Sequence, residues 1–167
     1  PNYYSEGIKE HIDMDDENLF ISIDFDKSVF PKKHTCDGED VSPIIHVDRI
    51  HSPYLAVIID DWIGPEERFT HWLMWDIESQ DTIPENIPKT LVINDPFMAV
   101  QGTNDFGTIG YRGPCPPPGE THTYYVNVYG LDAKLGIPAG SKREVLERAM
   151  KGHMRQYGGQ AIAIYNR

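Results

Sequence analysis

The run Leu19-Phe20-Ile21-Ser22-Ile23-Asp24-Phe25 alternates apolar and polar residues after its start, a period of two that predicts a half-buried strand. Tyr54 to Ile59 is almost continuously apolar, which predicts a central strand covered on both faces. Thr70 to Ile77 reads as a Trp-rich strand and Leu91 to Ile93 as a short one. From Thr121 to Tyr129, His122, Tyr124, Val126 and Val128 share one face and the intervening residues the other. Ala161 to Tyr165 closes the set. One helix is expected near the C-terminus: Ser141-Lys142-Arg143-Glu144 has the form of a capping box, and Val145, Leu146, Ala149 and Met150 follow at helical spacing. Gly158-Gly159 reads as its stop.

Between these elements lie segments dense in Gly, Pro, Asp and Asn: Pro31 to Pro43, Ile63 to Arg68, Gln80 to Lys89, Pro96 to Gly107 and Gly110 to Glu120. Long loops in small domains usually carry function, so the last two are where a site is expected. No internal repeat or linker interrupts the 167 residues. The reading is a polar N-terminal extension over residues 1–18 and a single domain over residues 19–167.

Composition narrows the function classes. With 15 Lys and Arg against 26 Asp and Glu, the formal charge is -11, so nucleic acid and anionic bilayers are not expected partners. Any anion must be held by local geometry. The longest apolar runs, such as Leu55 to Ile59, fall far short of the roughly 18 residues of a membrane helix. Pro1 to Glu17 is polar and acidic, unlike a signal peptide. The two cysteines, Cys36 and Cys115, lack the spacing of a zinc site or disulfide framework; they read as reduced thiols in a cytoplasmic protein.

Several stretches then converge. They are His34-Thr35-Cys36-Asp37-Gly38-Glu39-Asp40-Val41-Ser42-Pro43, Asp60-Asp61 through Pro65 with Thr70-His71-Trp72, and Asn104-Asp105-Phe106-Gly107 with Gly110 through Gly119. His122-Thr123-Tyr124, Val128-Tyr129, Gly152-His153 and the closing Tyr165-Asn166-Arg167 complete them. In order and spacing they resemble the phosphatidylethanolamine-binding protein family, above all its short bacterial and archaeal branch. The resemblance implies a mainly β fold of two packed β-sheets with a few peripheral helices. It implies a ligand pocket where the Asp loop, the His strand and the Pro-Gly loop meet. It nominates Asp61, His71, Cys115, Pro116, Pro117, Gly119, His122 and Tyr124 as ligand-binding residues. For the short branch a homodimer is a further expectation. Where the family has Asp-Pro-Asp-Ala-Pro, this chain has Asp61-Trp62-Ile63-Gly64-Pro65, so that Trp62 is placed to narrow the pocket mouth; Thr123 stands where the family has Arg.

These residue types suit a small anion such as phosphate or a phosphorylated headgroup. Imidazoles and a phenol can donate hydrogen bonds to it, glycines admit backbone N–H groups close to it, and prolines keep the loop rigid. His122 and Tyr124 lie two apart on one strand and so point to one side, and Asp61 can fix an imidazole tautomer. The expected function is binding without catalysis, with no cofactor and no metal, and family relatives add a role as modulator or inhibitor of a kinase or peptidase. Two alternatives stand beside it. Asp61, His71 and His122 have the ligand types of a two-His-one-carboxylate metal enzyme, and Trp62 with Thr123 fits an interaction protein with a vestigial pocket.

Overall fold

The computed structural model describes residues 18–25 and 29–166; the expected N-terminal extension lies outside them apart from residue 18. Among the described residues, nine strands form two antiparallel sheets. The smaller has the order β1 (Phe20–Ser22), β2 (Ile45–Asp48), β5 (Thr82–Ile83). The larger runs β6 (Val92–Ile93), β7 (Ala99–Gln101), β4 (Arg68–Glu78), β3 (Tyr54–Trp62), β8 (Thr121–Leu131), β9 (Met154–Asn166). The helix α1 (Arg143–Met150) and a 3-10 turn at Lys32–His34 complete the secondary structure of the described residues.

The central strand β3 explains its own composition. Leu55, Val57 and Ile59 enter the core between the sheets, with Ile45, Val47 and Ile83 from the smaller one. Ala56 and Ile58 point the other way, into a second core with Leu73, Trp75 and the helix residues Leu146 and Met150. A strand buried on both faces loses its alternation, which is why the run is continuous. At its far end the same alternation sends Asp61 to the inter-sheet side and Asp60 to the helix side. Both carboxylates are buried, at 4% and 1% exposure, so each needs a partner.

Three sequence expectations are corrected here. Ser141 does not cap the helix: the N-cap is Lys142 without a side-chain bond, and Ser141 Oγ donates to the Pro138 carbonyl at 2.6 Å. Gly158-Gly159 does not stop it either, since both lie inside β9. A Cβ on Gly158 would stand 2.5 Å from the Leu19 carbonyl oxygen, so this glycine admits the chain entering β1. The third concerns the cysteines. They are not free thiols but form a Cys36–Cys115 disulfide across a separation of 79 residues. The loops around them are already zipped together, because Cys36 N donates to Pro114 O at 3.2 Å, Tyr111 Oη to His34 O at 2.7 Å and Gly113 N to Asp40 Oδ1 at 2.8 Å.

Candidate functional site

At the Asp61 end of the interlayer core is a cavity of about 150 Å³. Asp61, His71, His122 and Tyr124 line its polar side, Phe69, Phe106 and Ile63 its apolar side, and Cys115, Pro116 and Pro117 close it. Seven of the eight nominated residues therefore meet in one place. Gly119 does not line the cavity; at φ 87° it turns the chain into β8. Trp62 does not narrow the mouth. It borders a separate cavity with Pro65, Glu66 and Arg68, where the Arg68 guanidinium lies 5.1 Å from its ring centre. Trp72 and Trp75 are core residues.

His71 reaches the cavity through an irregularity in β4. Ile59 pairs with Trp72 and Asp60 with Thr70, so His71 is an extra residue in the ladder, and such bulges re-aim side chains. Its Nδ1–H donates to the Arg112 carbonyl at 2.6 Å, and Arg112 N returns a bond to His71 O at 3.1 Å. Phe69, Phe106 and Tyr124 surround the ring at 5.3, 5.5 and 5.4 Å between centres. Phe106 is held there by the Asn104 loop: Asn104 Oδ1 accepts from Phe106 N at 3.0 Å and Asp105 Oδ2 from Thr70 N at 2.7 Å. Burial lowers the His71 pKa to about 4, against a smaller opposing effect of the Arg112 carbonyl. The ring is therefore neutral near pH 7, and with its proton on Nδ1 the other nitrogen is an acceptor. The expected second imidazole donor for an anion is thus absent.

His122 is built the opposite way. Its Nδ1–H donates to Asp61 Oδ2 at 2.6 Å and its Nε2–H to Glu120 Oε1 at 3.1 Å. Burial opposes charge on this ring, but the hydrogen bonds to Glu120 and Asp61 outweigh it and raise the pKa above its ordinary value. Burial in turn pushes the Asp61 carboxyl up, while the His122 bond pulls it down. The second oxygen, Asp61 Oδ1, is buried without a protein hydrogen-bond partner. Tyr124 stacks beside His122 at 6.3 Å and 18°, so the two do face one side. Burial first, and then the Asp61 charge, pushes the Tyr124 phenol well above its ordinary pKa, so it stays protonated.

The metal alternative finds no support in this arrangement: among the described residues no group of three or more His, Cys, Asp or Glu is placed to hold a metal ion.

The family model described as phosphatidylethanolamine-binding protein matches residues 22–162. The chain belongs to the phosphatidylethanolamine-binding protein family. It is 44% identical over 140 residues to a UPF0098 protein of Pyrococcus abyssi, covering 82% of this chain and 78% of that one. Over 154 residues it is 42% identical to a UPF0098 protein of Pyrococcus horikoshii, covering 90% and 77%. Among solved structures it resembles a phosphatidylethanolamine-binding protein homologue of Chlamydia trachomatis, with TM-score 0.75 and 26% identity over 90% of this chain and 98% of that one. YbcL of Escherichia coli shares the fold at TM-score 0.79 and 21% identity, covering 90% and 99%. Membership in the phosphatidylethanolamine-binding family supports a ligand-binding role of that general type.

Sequence reasoning missed Glu120, Phe69 and Phe106. The alternation Glu120, His122, Tyr124 would have found the first, because residues two apart share a face. The rings of Phe69 and Phe106 depend on the bulge and the Asn104 loop, which carry no periodic signal.

The buried neutral His71 has a measurable consequence. Its folded pKa of about 4 lies below its ordinary value of 6.5, so on acidification the unfolded chain takes up this proton first and stability is lost between those two values. From pH 6.5 down to 4.5 the loss attributable to His71 is about 2 kcal/mol. Urea unfolding of the protein and of His71→Asn across this range should show a shallower pH slope in the variant. Equal slopes would contradict a buried neutral ring.

Proposed function

We propose that this chain is a non-catalytic binding protein whose pocket takes a small oxyacid group, phosphate or a phosphorylated headgroup, in a form that still carries a proton. The observation that carries this reading is the pairing of His122, tied to Asp61 at 2.6 Å, with a neutral His71 in one cavity of about 150 Å³. That volume equals roughly five waters at ~30 Å³ each, enough for one tetrahedral group and not for an acyl chain. His122 supplies a charged donor through Nε2–H, and the Tyr124 phenol adds a neutral one. His71 Nε2 and Asp61 Oδ1 are acceptors, which a fully deprotonated anion would meet lone pair to lone pair. A proton on the ligand satisfies them.

A protein partner enters the same reading as the carrier of such a group. Ile63 and Phe106, 48% and 36% exposed, give the cavity an apolar lip suited to contact with a kinase or peptidase whose activity the chain would modulate. The cytoplasm remains the proposed compartment, in which the Cys36–Cys115 bridge would be of the less common intracellular kind.

The test is titration with inorganic phosphate and with phosphoethanolamine, followed by NMR of the histidine side chains, on the protein and on His122→Ala. Saturable shifts at His71 and His122 are expected, weakened at least about tenfold in the variant by loss of a charge-assisted hydrogen bond. Affinity should be highest at acid pH, where His122 is charged, and fall as pH rises through its raised pKa. Histidine signals unmoved by either compound would remove the oxyacid reading and leave protein interaction with a vestigial pocket.

A further inference from the structure

We propose that Glu120 is a tethered competitor for the ligand, its carboxylate occupying the one His122 donor position that an incoming oxyanion needs. This inference rests on the oxyacid reading of the pocket and adds a residue that sets its affinity.

The two carboxylates on His122 are not equivalent. The Asp61 side chain is 6% exposed and its bond joins strands 61 residues apart in sequence, so the folded sheet fixes it. The Glu120 side chain is 57% exposed and only two residues away. Among the described residues its remaining hydrogen bond is within its own turn, in which Glu120 N donates to Pro117 O at 3.1 Å. Gly119, at φ 87° and with no atom within 4 Å of a Cβ built on it, leaves that turn open to solvent. An exposed ion pair of this kind is weak and exchangeable. Glu120 is also outside the cavity lining, so swinging it away opens Nε2–H without disturbing the walls.

An anion that needs the same donor binds only the fraction of molecules in which Glu120 has let go, and its apparent affinity falls in proportion. The freed carboxylate then stands beside a bound negative group and repels it. Together these effects amount to roughly three- to tenfold in affinity for an exposed pair.

The experiment compares the protein with Glu120→Gln and, as a control for net charge alone, with Glu144→Gln on the exposed side of the helix. NMR first follows the titration of His122 without ligand. The midpoint is expected to fall in Glu120→Gln and to stay in place in Glu144→Gln. Inorganic phosphate is then titrated at about pH 5.5, where a histidine of ordinary or raised pKa is mostly charged. Glu120→Gln should bind roughly three to ten times more tightly than the parent, and Glu144→Gln equally tightly. An unchanged His122 midpoint in Glu120→Gln overturns the proposal, because the contact then does not exist in solution. A lowered midpoint with equal or weaker phosphate binding overturns the competitor role while the pocket itself stands. A lowered midpoint with no phosphate binding to any of the proteins overturns the oxyacid reading and this inference with it.

Discussion

Replacing Cys36 and Cys115 together by serine should lower the unfolding free energy by about 4 kcal/mol. The bridge closes a loop spanning a separation of 79 residues, and the chain-entropy relation assigns a loop of that size about 4.5 kcal/mol at 25 °C. Residual structure in the unfolded chain reduces the figure, and the hydrogen bonds between the two loops, such as Cys36 N to Pro114 O at 3.2 Å, are the same with or without the bridge. The effect reaches the site. Cys115, Pro116 and Pro117 form one wall of the cavity, and the bridge ties that wall directly to the Cys36 loop. Urea unfolding of the double variant, and of the parent with and without reductant, measures the loss. A change below about 1 kcal/mol would show that the loops are held by their hydrogen bonds alone. Phosphate titration of the same variant should show weaker binding than the parent, since a loosened wall must be ordered again on binding.

How much of this was legible in the sequence depends on how local the information was. The run from Tyr54 to Ile59 announces a strand covered on both faces because burial acts on consecutive residues. The alternation from Thr121 to Tyr129 likewise announces His122 and Tyr124 on one side of β8. Strands of two to four residues, such as Thr82–Ile83, Ala99–Gln101 and Ile45–Asp48, contain at most two periods and vanish among loop residues. The disulfide was illegible for a different reason. Cys36 and Cys115 sit in loops whose proximity follows from the packing of two sheets, which spacing along the chain does not encode, so the compartment argument from free thiols filled the gap wrongly. His71 shows a third limit: the residue was identified by resemblance, yet the bulge that aims it, and the Arg112 carbonyl that makes its free nitrogen an acceptor, are products of register. The chemistry of the pocket differs from the expectation of two donating imidazoles for that reason alone.

The remaining large effect lies on the opposite face of the same strand. Asp60 is 1% exposed, and burial pushes its carboxyl up against the lowering influence of Arg143. Arg143 Nη1 lies 2.9 Å from Asp60 Oδ2 and donates to Thr70 Oγ1 at 3.1 Å, while its Nε lies 3.4 Å from Glu147 Oε2. This cluster pins α1 to β3 and β4 directly behind the pocket residues Asp61 and His71. Replacing Arg143 by Met leaves a buried carboxyl without its closest cation, an error that typically costs about 3–5 kcal/mol. The upper bound follows from chemistry: rather than remain charged, Asp60 takes up a proton, and protonating an ordinary Asp at pH 7 costs about 4 kcal/mol. Arg68, whose charge also acts on Asp60, offsets a part, so a loss of about 3 kcal/mol is expected at neutral pH. The sign of its pH dependence is fixed. With the folded pKa of Asp60 raised further, the folded variant binds a proton that the unfolded chain does not, so its stability rises as pH falls and the deficit against the parent shrinks from pH 7 to pH 5. Asp60→Asn added to Arg143→Met removes the charge outright and should recover most of the loss at pH 7 while abolishing the pH dependence of the difference. Unfolding curves of the parent and of the single and double variants at both pH values decide the matter. If the double variant is no more stable than Arg143→Met alone, Arg143 contributes through packing of its stem against the sheet and not by neutralising Asp60.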